Sequence, residues 1–267
     1  MKRATALLRG LACALLLIHP PAGAAEMNQH ALIAAFAPGG TLRASINTGN
    51  PILAHLDAGT GQPAGVSLDL AHELARRLGV PLQLVTVTSA GAAVDNVEQG
   101  KADVGFFAID PTRGQAIAFT QAYVEIEGVY AVRNDSPITT PEQVDQPGTT
   151  VAVSKGSAYD LFLSRTLHQA TLVRLPTSPG IVQGFVDQKL SVAAGIRQQM
   201  EKDIARVGGM RIVEPHFMVI RQAMALPKAK GAGAAEYLTA FVEEMKMSGF
   251  VAQALARHHI QGASVAP

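Results

Sequence analysis

Hydrophobic positions along this chain repeat with two periods. From Thr41 onward, short runs of strand character alternate with stretches whose apolar residues recur at helical spacing. That alternation is the signature of parallel sheets covered by helices. LRASI (42–46) predicts a first strand. In SLDLAHELARRLGV, Leu68, Ala71, Leu74, Ala75 and Leu78 fall at i, i+3, i+4 intervals, and Gly79 follows as a helix stop. PLQLVTV (81–87) predicts the next strand. A helix around Ala92 to Gln99 ends at Gly100, and DVGFFAI (103–109) is apolar on both faces, as central parallel strands are.

EGVYAVRN (127–134) predicts a strand leaving this unit, and the turn-rich segment DSPITTPEQVDQPG follows it. Within that segment Thr140, Pro141 and Gln143 form a capping-box pattern for a short helix. A second alternation begins at TTVAVS (149–154), with a helix from Ser157 to about His168 and a strand at ATLVRL. A helix opened by Ser178-Pro179, a strand at SVAAGI (191–196), a helix at RQQMEKDIARV and a strand at MRIVE complete it. QAMALP (222–227) predicts one further strand. A C-terminal helix comes next, with Leu238, Phe241, Val242, Met245, Phe250, Val251 and Leu255 on its apolar face and a break near Gly249. The pattern contains no internal repeat or heptad array. It predicts two similar α/β units, with crossings near residues 130–138 and 214–223.

The first residues read differently. Lys2, Arg3 and Arg9 precede the apolar run LACALLLI (11–18) and the small residues PAGAA (21–25), which predicts an export signal cleaved near Ala24 or Ala25. The run is well short of the roughly 20 apolar residues of a membrane span. Cys13, the sole cysteine, lies inside this segment and too early in the apolar run to favour a lipoprotein attachment. Without residues 1–25 the chain is expected to have neither disulfide nor thiol, and to fold on core burial alone. The apolar fraction of 48% is ample for that. Removing the three leader cations leaves 19 basic against 21 acidic residues, a formal charge of −2. Nothing in that balance points to nucleic acid.

The candidate chemistry begins at DPTRGQAIAFT (110–120). Asp110 is a preferred N-cap type and Pro111 suits a first helical position, so the pair predicts a helix starting directly after the DVGFFAI strand. Arg113 then falls in the first turn, near free NH groups and the positive end of the helix dipole, a poor place for a cation unless an anion shares it. A carboxylate or phosphate there could take bidentate bonds from the guanidinium, worth roughly 1.5 to 3 kcal/mol. Pairing of Arg113 with a surface acid such as Glu125 or Glu127 is the alternative that spacing leaves open. Enzyme signatures are missing: there is no Gly-x-Ser-x-Gly elbow, no Gly-x-x-x-x-Gly-Lys loop and no His-Glu-x-x-His pattern. GTGQPAG (59–65) precedes a helix without a qualifying strand and predicts a hairpin turn. His258 and His259 sit near a helix end, where they complement the dipole. Tyr123 and Tyr159 fit either a cleft lining or ordinary packing.

In order and spacing, GTLRASINTGNP, GQPAGVSLDLAHELARRLGV, GKADV, DPTRGQAIAFTQAYV, RNDSPI and VAVSKGSAYD resemble the periplasmic solute-binding proteins of amino-acid-type ABC importers, bacterial extracellular solute-binding protein family 3. The likeness runs from about Gly40 to the C-terminal helix. It implies an α/β fold of two doubly wound lobes joined by two crossing strands, periplasmic binding protein-like of type II. Lobe 1 would comprise 41–130 plus 222–262, and lobe 2 would comprise 131–221. In the family's Thr-x-x-Arg pattern the arginine grips the solute's α-carboxylate; it falls on Arg113, with Asp110 in place of the threonine. The second half of that clamp resembles KGSAYD, where Ser157 and the backbone of Ala158 open a helix, a role compatible with Ser157 also being the N-cap.

Departures from the family pattern shape the expected solute. Ile196 stands where many members carry an aspartate for the α-ammonium, which leaves Asp110 and Glu127 as the candidates to substitute for it. Asn47 and Asn50 stand where members taking cationic solutes have an acid and an aromatic platform. The strand before Arg113 is two residues shorter than usual and lacks the small hydroxyl residues. The implied solute is therefore a small or neutral carboxylate-bearing molecule, an amino acid or related organic acid, and not lysine, arginine or histidine. The implied ligand-binding set is Arg113, Ser157, Ala158, Asn47, Asn50, Ala108, Asp110, Tyr159 and Glu127, with no cofactor and no metal. The resemblance further implies a monomeric, non-catalytic periplasmic protein that delivers its solute to an inner-membrane ABC permease. Two alternatives share the scaffold: a cyclohexadienyl or arogenate dehydratase, with Glu125, Glu127 or Asp110 as general acid, and a binding protein that feeds a sensor kinase.

Overall fold

The structure is a computed structural model that describes residues 27–57 and 59–267. The leader, its cleavage site and Cys13 lie outside the described residues. The first element, α1 (Gln29–Phe36), is capped by Asn28, whose side chain accepts from the Ala31 amide at 2.9 Å. Its Phe36 packs on Tyr237 with ring centroids 5.6 Å apart. Neither α1 nor the final strand was expected, since HALIAAFA has no clear apolar stripe and the strand is only three residues long.

The first lobe follows the predicted alternation closely. It runs β1 (Leu42–Asn47), the hairpin β2 (His55–Leu56) and β3 (Pro63–Ala64), α2 (Val66–Leu78), β4 (Leu82–Val87), α3 (Ala90–Glu98) and β5 (Val104–Ala108). Helix α2 buries Leu68, Leu70, Leu74 and Leu78, each worth about 2 kcal/mol of burial, and stops where Gly79 takes a left-handed φ of 68°. The predicted helix after Asp110-Pro111 is absent. A single 3-10 turn spans Arg113–Gln115, and the chain then enters the 17-residue strand β6 (Ile117–Arg133). The β-formers Ile117, Phe119, Thr120, Tyr123, Val124 and Ile126 override the Asp-Pro start signal. EGVYAVRN is only the second half of that strand.

The second lobe contains β7 (Thr150–Ser154), α4 (Ala158–Thr166), β8 (Thr171–Leu175), α5 (Ile181–Asp187), β9 (Val192–Ile196) and α6 (Arg197–Val207). The capping box at Thr140 opens a short 3-10 turn, as its spacing predicts. MRIVE and QAMALP turn out to be one strand, β10 (Met210–Pro227), of 18 residues. Its register against β6 shifts between Val213 and Met218, where the two runs looked separate in sequence. The chain closes with α7 (Ala232–Met247), α8 (Phe250–Arg257) and β11 (Ala263–Val265); Gly249, at φ 77°, makes the break between the two helices.

One mixed sheet carries both lobes, in the order β4-β1-β5-β10-β6-β9-β7-β8, with β11 added along β6. β1 pairs in parallel with β4 and β5, and β7 pairs in parallel with β8 and β9. The antiparallel pair β6–β10 runs through both halves and is, among the described residues, the sheet connection between them. β5 adds to β10 over Gln222–Ala225, and β9 adds to β6 over Gly128–Ala131. The carboxyl ends of β1 and β5 thus face those of β7 and β9 across the crossing strands, the position at which open α/β sheets form ligand crevices.

Candidate functional site

Four strand ends build a cavity of about 40 Å³. From the first lobe it is lined by Asn47, Asn50, Leu53, Ser67, Ala90, Phe106, Phe107, Ala108 and Arg113. From the second lobe and the crossing strands come Ser157, Ala158, Tyr159, Ser178, Ile196, Ile220 and Gln222. Beyond the end of β5, the Asp110 side chain folds back to accept from the Thr112 amide at 2.8 Å, a turn that returns Arg113 toward the strand end. Arg113 Nη1 donates to the Ala108 carbonyl at 3.0 Å. Its Nη2 crosses to the other lobe and donates to the Gly156 carbonyl at 2.7 Å.

Arg113 is 5% exposed, and no salt bridge among the described residues involves it. Burial pushes its pKa down to about 10, with Asp110 and Glu98 opposing that shift through space. The guanidinium is therefore still charged at neutral pH. Two of its five N–H groups are occupied by backbone carbonyls, which leaves donors and a full positive charge for the cavity. Glu125 and Glu127, the alternative partners, are engaged elsewhere: Glu125 accepts from Arg221 at 3.1 Å, and Glu127 pairs with Arg197 and lies 3.3 Å from His216.

Facing Arg113, Ser157 caps α4 by accepting from the Asp160 amide at 3.0 Å, while Asp160 accepts from the Gly156 amide at 2.8 Å and from Arg174 at 2.9 Å. This ties the KGSAYD loop into a fixed shape. Gly156 has φ 71°, and a Cβ there would stand 3.2 Å from Cα of Gly91 on the opposite lobe, so the glycine permits both the turn and the close approach of the lobes. Tyr159 is buried and its hydroxyl lies 3.0 Å from Ser178 Oγ; burial raises its pKa, so it stays a neutral phenol.

Seven of the nine residues expected at the site line this cavity: Arg113, Ser157, Ala158, Asn47, Asn50, Ala108 and Tyr159. Asp110 and Glu127 do not. Asp110 Oδ2 is held at 2.8 Å by Arg165 of α4, a second bridge between the lobes, and it faces a neighbouring groove lined by Ile109, Phe162 and Phe217. Glu127 sits on the opposite side of β6 within the Arg197 cluster. Tyr123 proves to be packing: it is fully buried, 3.1 Å from Ser67 Oγ and edge-on to Phe106. His258 lies 2.9 Å from Asp69, and no group of three metal-ligating side chains occurs among the described residues. Sequence reasoning missed Gln222 and Ser178. Gln222 carried a signal, being a polar residue heading the apolar run AMALP.

Comparison with known proteins agrees with this architecture. The profile of the bacterial extracellular solute-binding proteins, family 3, matches residues 42–261, and the chain belongs to that family. Over 138 residues it is 30% identical to a cyclohexadienyl dehydratase of Pseudomonas aeruginosa, an alignment covering 48% of this chain and 49% of that protein. The chain thus spans about half the length of this curated relative. A mutant of ArgBP from T. maritima shares the fold at TM-score 0.72 and 24% identity, covering 85% of this chain and 99% of the other. The solute receptor for L-cysteine of Neisseria gonorrhoeae does so at TM-score 0.73 and 21% identity, covering 86% and 94%.

Proposed function

We propose that this protein is the solute-binding component of an ABC importer, acting in the periplasm after removal of residues 1–25, and that it encloses a small carboxylate-bearing solute between its lobes. Lobe 1 comprises 41–130 plus 222–262 and lobe 2 comprises 131–221. The observation that carries this reading is a charged guanidinium, Arg113, buried at the interlobe cavity without a carboxylate partner. Burying an unpaired cation is costly, and a solute carboxylate supplies the missing charge. The solute's oxygens bridge Arg113 to the Ser157 hydroxyl and the Ala158 amide at the start of α4. Only the closed arrangement offers both sets of donors, so the solute stabilises closure, and a permease can recognise the closed monomer.

The identity with a cyclohexadienyl dehydratase favours a second reading, catalysis on the same scaffold. Such chemistry needs an acid at the cavity, and Asp110, Glu125 and Glu127 are each held by an arginine away from it. This supports binding without turnover. A thermal-shift screen of amino acids, 2-oxo acids, 2-hydroxy acids and dicarboxylates tests the proposal, because a tight ligand raises the melting temperature by mass action. At least one carboxylate is expected to stabilise the wild type and not Arg113→Ala. Formation of product from prephenate or arogenate would instead establish the enzyme.

A further inference from the structure

We infer that the solute is a monoanionic carboxylic acid without a free ammonium group, of the 2-oxo or 2-hydroxy acid type, rather than a zwitterionic amino acid. The inference rests on the carboxylate reading of Arg113 and sharpens it. The cavity lining contains one formal charge, that of Arg113, and no carboxylate. The carboxylate next to Arg113 along the chain, Asp110, has both oxygens occupied, one by the Thr112 amide at 2.8 Å and the other by Arg165 at 2.8 Å.

Three of the neutral polar groups, Asn47, Asn50 and Ser157, point the same way. Asn47 Oδ1 accepts from the Gly49 amide at 3.0 Å, and Asn50 Oδ1 accepts from the Ile52 amide at 3.2 Å. Because the partners are N–H groups, the oxygen of each carboxamide must be the atom turned into its own loop, and the NH₂ end of each is left over. Ser157 Oγ likewise accepts from the Asp160 amide at 3.0 Å, so its hydrogen remains to be donated. The free groups of Asn47, Asn50, Ser157 and Arg113 are thus hydrogen-bond donors. They match a carboxylate together with a neighbouring carbonyl or hydroxyl oxygen. An ammonium brings only donors; in this cavity it would meet those N–H groups and an arginine of like charge, with the Gln222 amide oxygen and the Ser67 and Ser178 hydroxyls as neutral acceptors but no carboxylate to balance its charge. Ile196 and Phe106 add apolar walls that cannot solvate it.

Isothermal titration calorimetry on the wild-type protein with matched sets tests this: pyruvate, L-lactate and L-alanine, then 2-oxoisovalerate, 2-hydroxyisovalerate and L-valine. In each set that binds, the oxo or hydroxy acid is expected to bind about 100-fold or more tighter than the amino acid, given what an unpaired buried charge costs. The same acids should lose binding to Arg113→Met. An amino acid bound as tightly as its oxo analogue overturns the inference while leaving the carboxylate site standing. Binding that persists in Arg113→Met, or the absence of binding by every acid, overturns the carboxylate site and the inference together.

Discussion

Replacing Arg113 by methionine separates the cost of holding this cation from its use. The apolar stem is kept and the charge is removed. Burial lowers the Arg113 pKa to about 10, a downward shift that amounts to about 3 kcal/mol of destabilisation by the charged form in the folded protein. Methionine relieves that cost. It also strips donors from the carbonyls of Ala108 and Gly156, a loss of about 1 to 2 kcal/mol each. The two effects nearly cancel, so the ligand-free variant is expected to melt within about 4 °C of wild type, at about 2 to 4 °C per kcal/mol for a chain of this size. Solute binding has no such compensation: loss of charge-assisted bonds worth about 3 kcal/mol weakens the dissociation constant about 100-fold or more. Differential scanning calorimetry reads the first quantity and isothermal titration calorimetry the second. A fall in melting temperature beyond about 8 °C with affinity unchanged would make Arg113 a structural residue and refute the reasoning.

Further perturbations address closure and pH. In Gly156→Ala the left-handed φ of 71° costs the folded state about 1 to 2 kcal/mol and should lower the ligand-free melting temperature by a few degrees, while the Cβ 3.2 Å from Gly91 Cα resists closure and should also weaken solute affinity; unchanged affinity by calorimetry would show that the lobes need not meet there. Arg165→Ala removes the partly exposed bridge to Asp110; at about 1 kcal/mol it should weaken solute affinity about fivefold by calorimetry, and no change would mean the bridge does not bias closure. The hydrogen bonds from Arg76 hold the Glu73 pKa down from 4.5 to about 2, with Arg77 assisting. Since the folded value is the lower one, the stabilisation is present above pH 4.5 and disappears as pH falls toward 2. Glu73→Gln should therefore melt below wild type at pH 6, by a few degrees for a pair worth about 1 kcal/mol, and match it near pH 2; a gap that persists in acid would contradict the assignment.

The alternation of strands and helices was legible because each element buries a face with its own period: the Leu68 to Leu78 stripe of α2 and the doubly apolar β5 could hardly be read otherwise. The two long strands were not. The middle of β10 reads as a turn in EPHF, and the β6 start is masked by Asp-Pro, so only pairing between the strands joins the pieces. At the site, Asn47 at the end of β1 and Ser157 before α4 line the cavity at the positions the family resemblance implied. Asp110 and Glu127 departed for tertiary reasons: Arg165 lies 55 positions from Asp110 and Arg197 lies 70 from Glu127. No local pattern announces such partners. Gln222 is the residue that closer reading would have found, since a polar side chain within a buried strand needs a partner or a cavity.

The central claim is a carboxylate held against Arg113 between the lobes. A crystal structure of the protein grown with its tightest-binding acid tests it most directly. The account predicts carboxylate oxygens within about 3 Å of the guanidinium and of Ser157 or the Ala158 amide. An acid bound outside that cavity, or one whose carboxylate is turned away from Arg113, would contradict it.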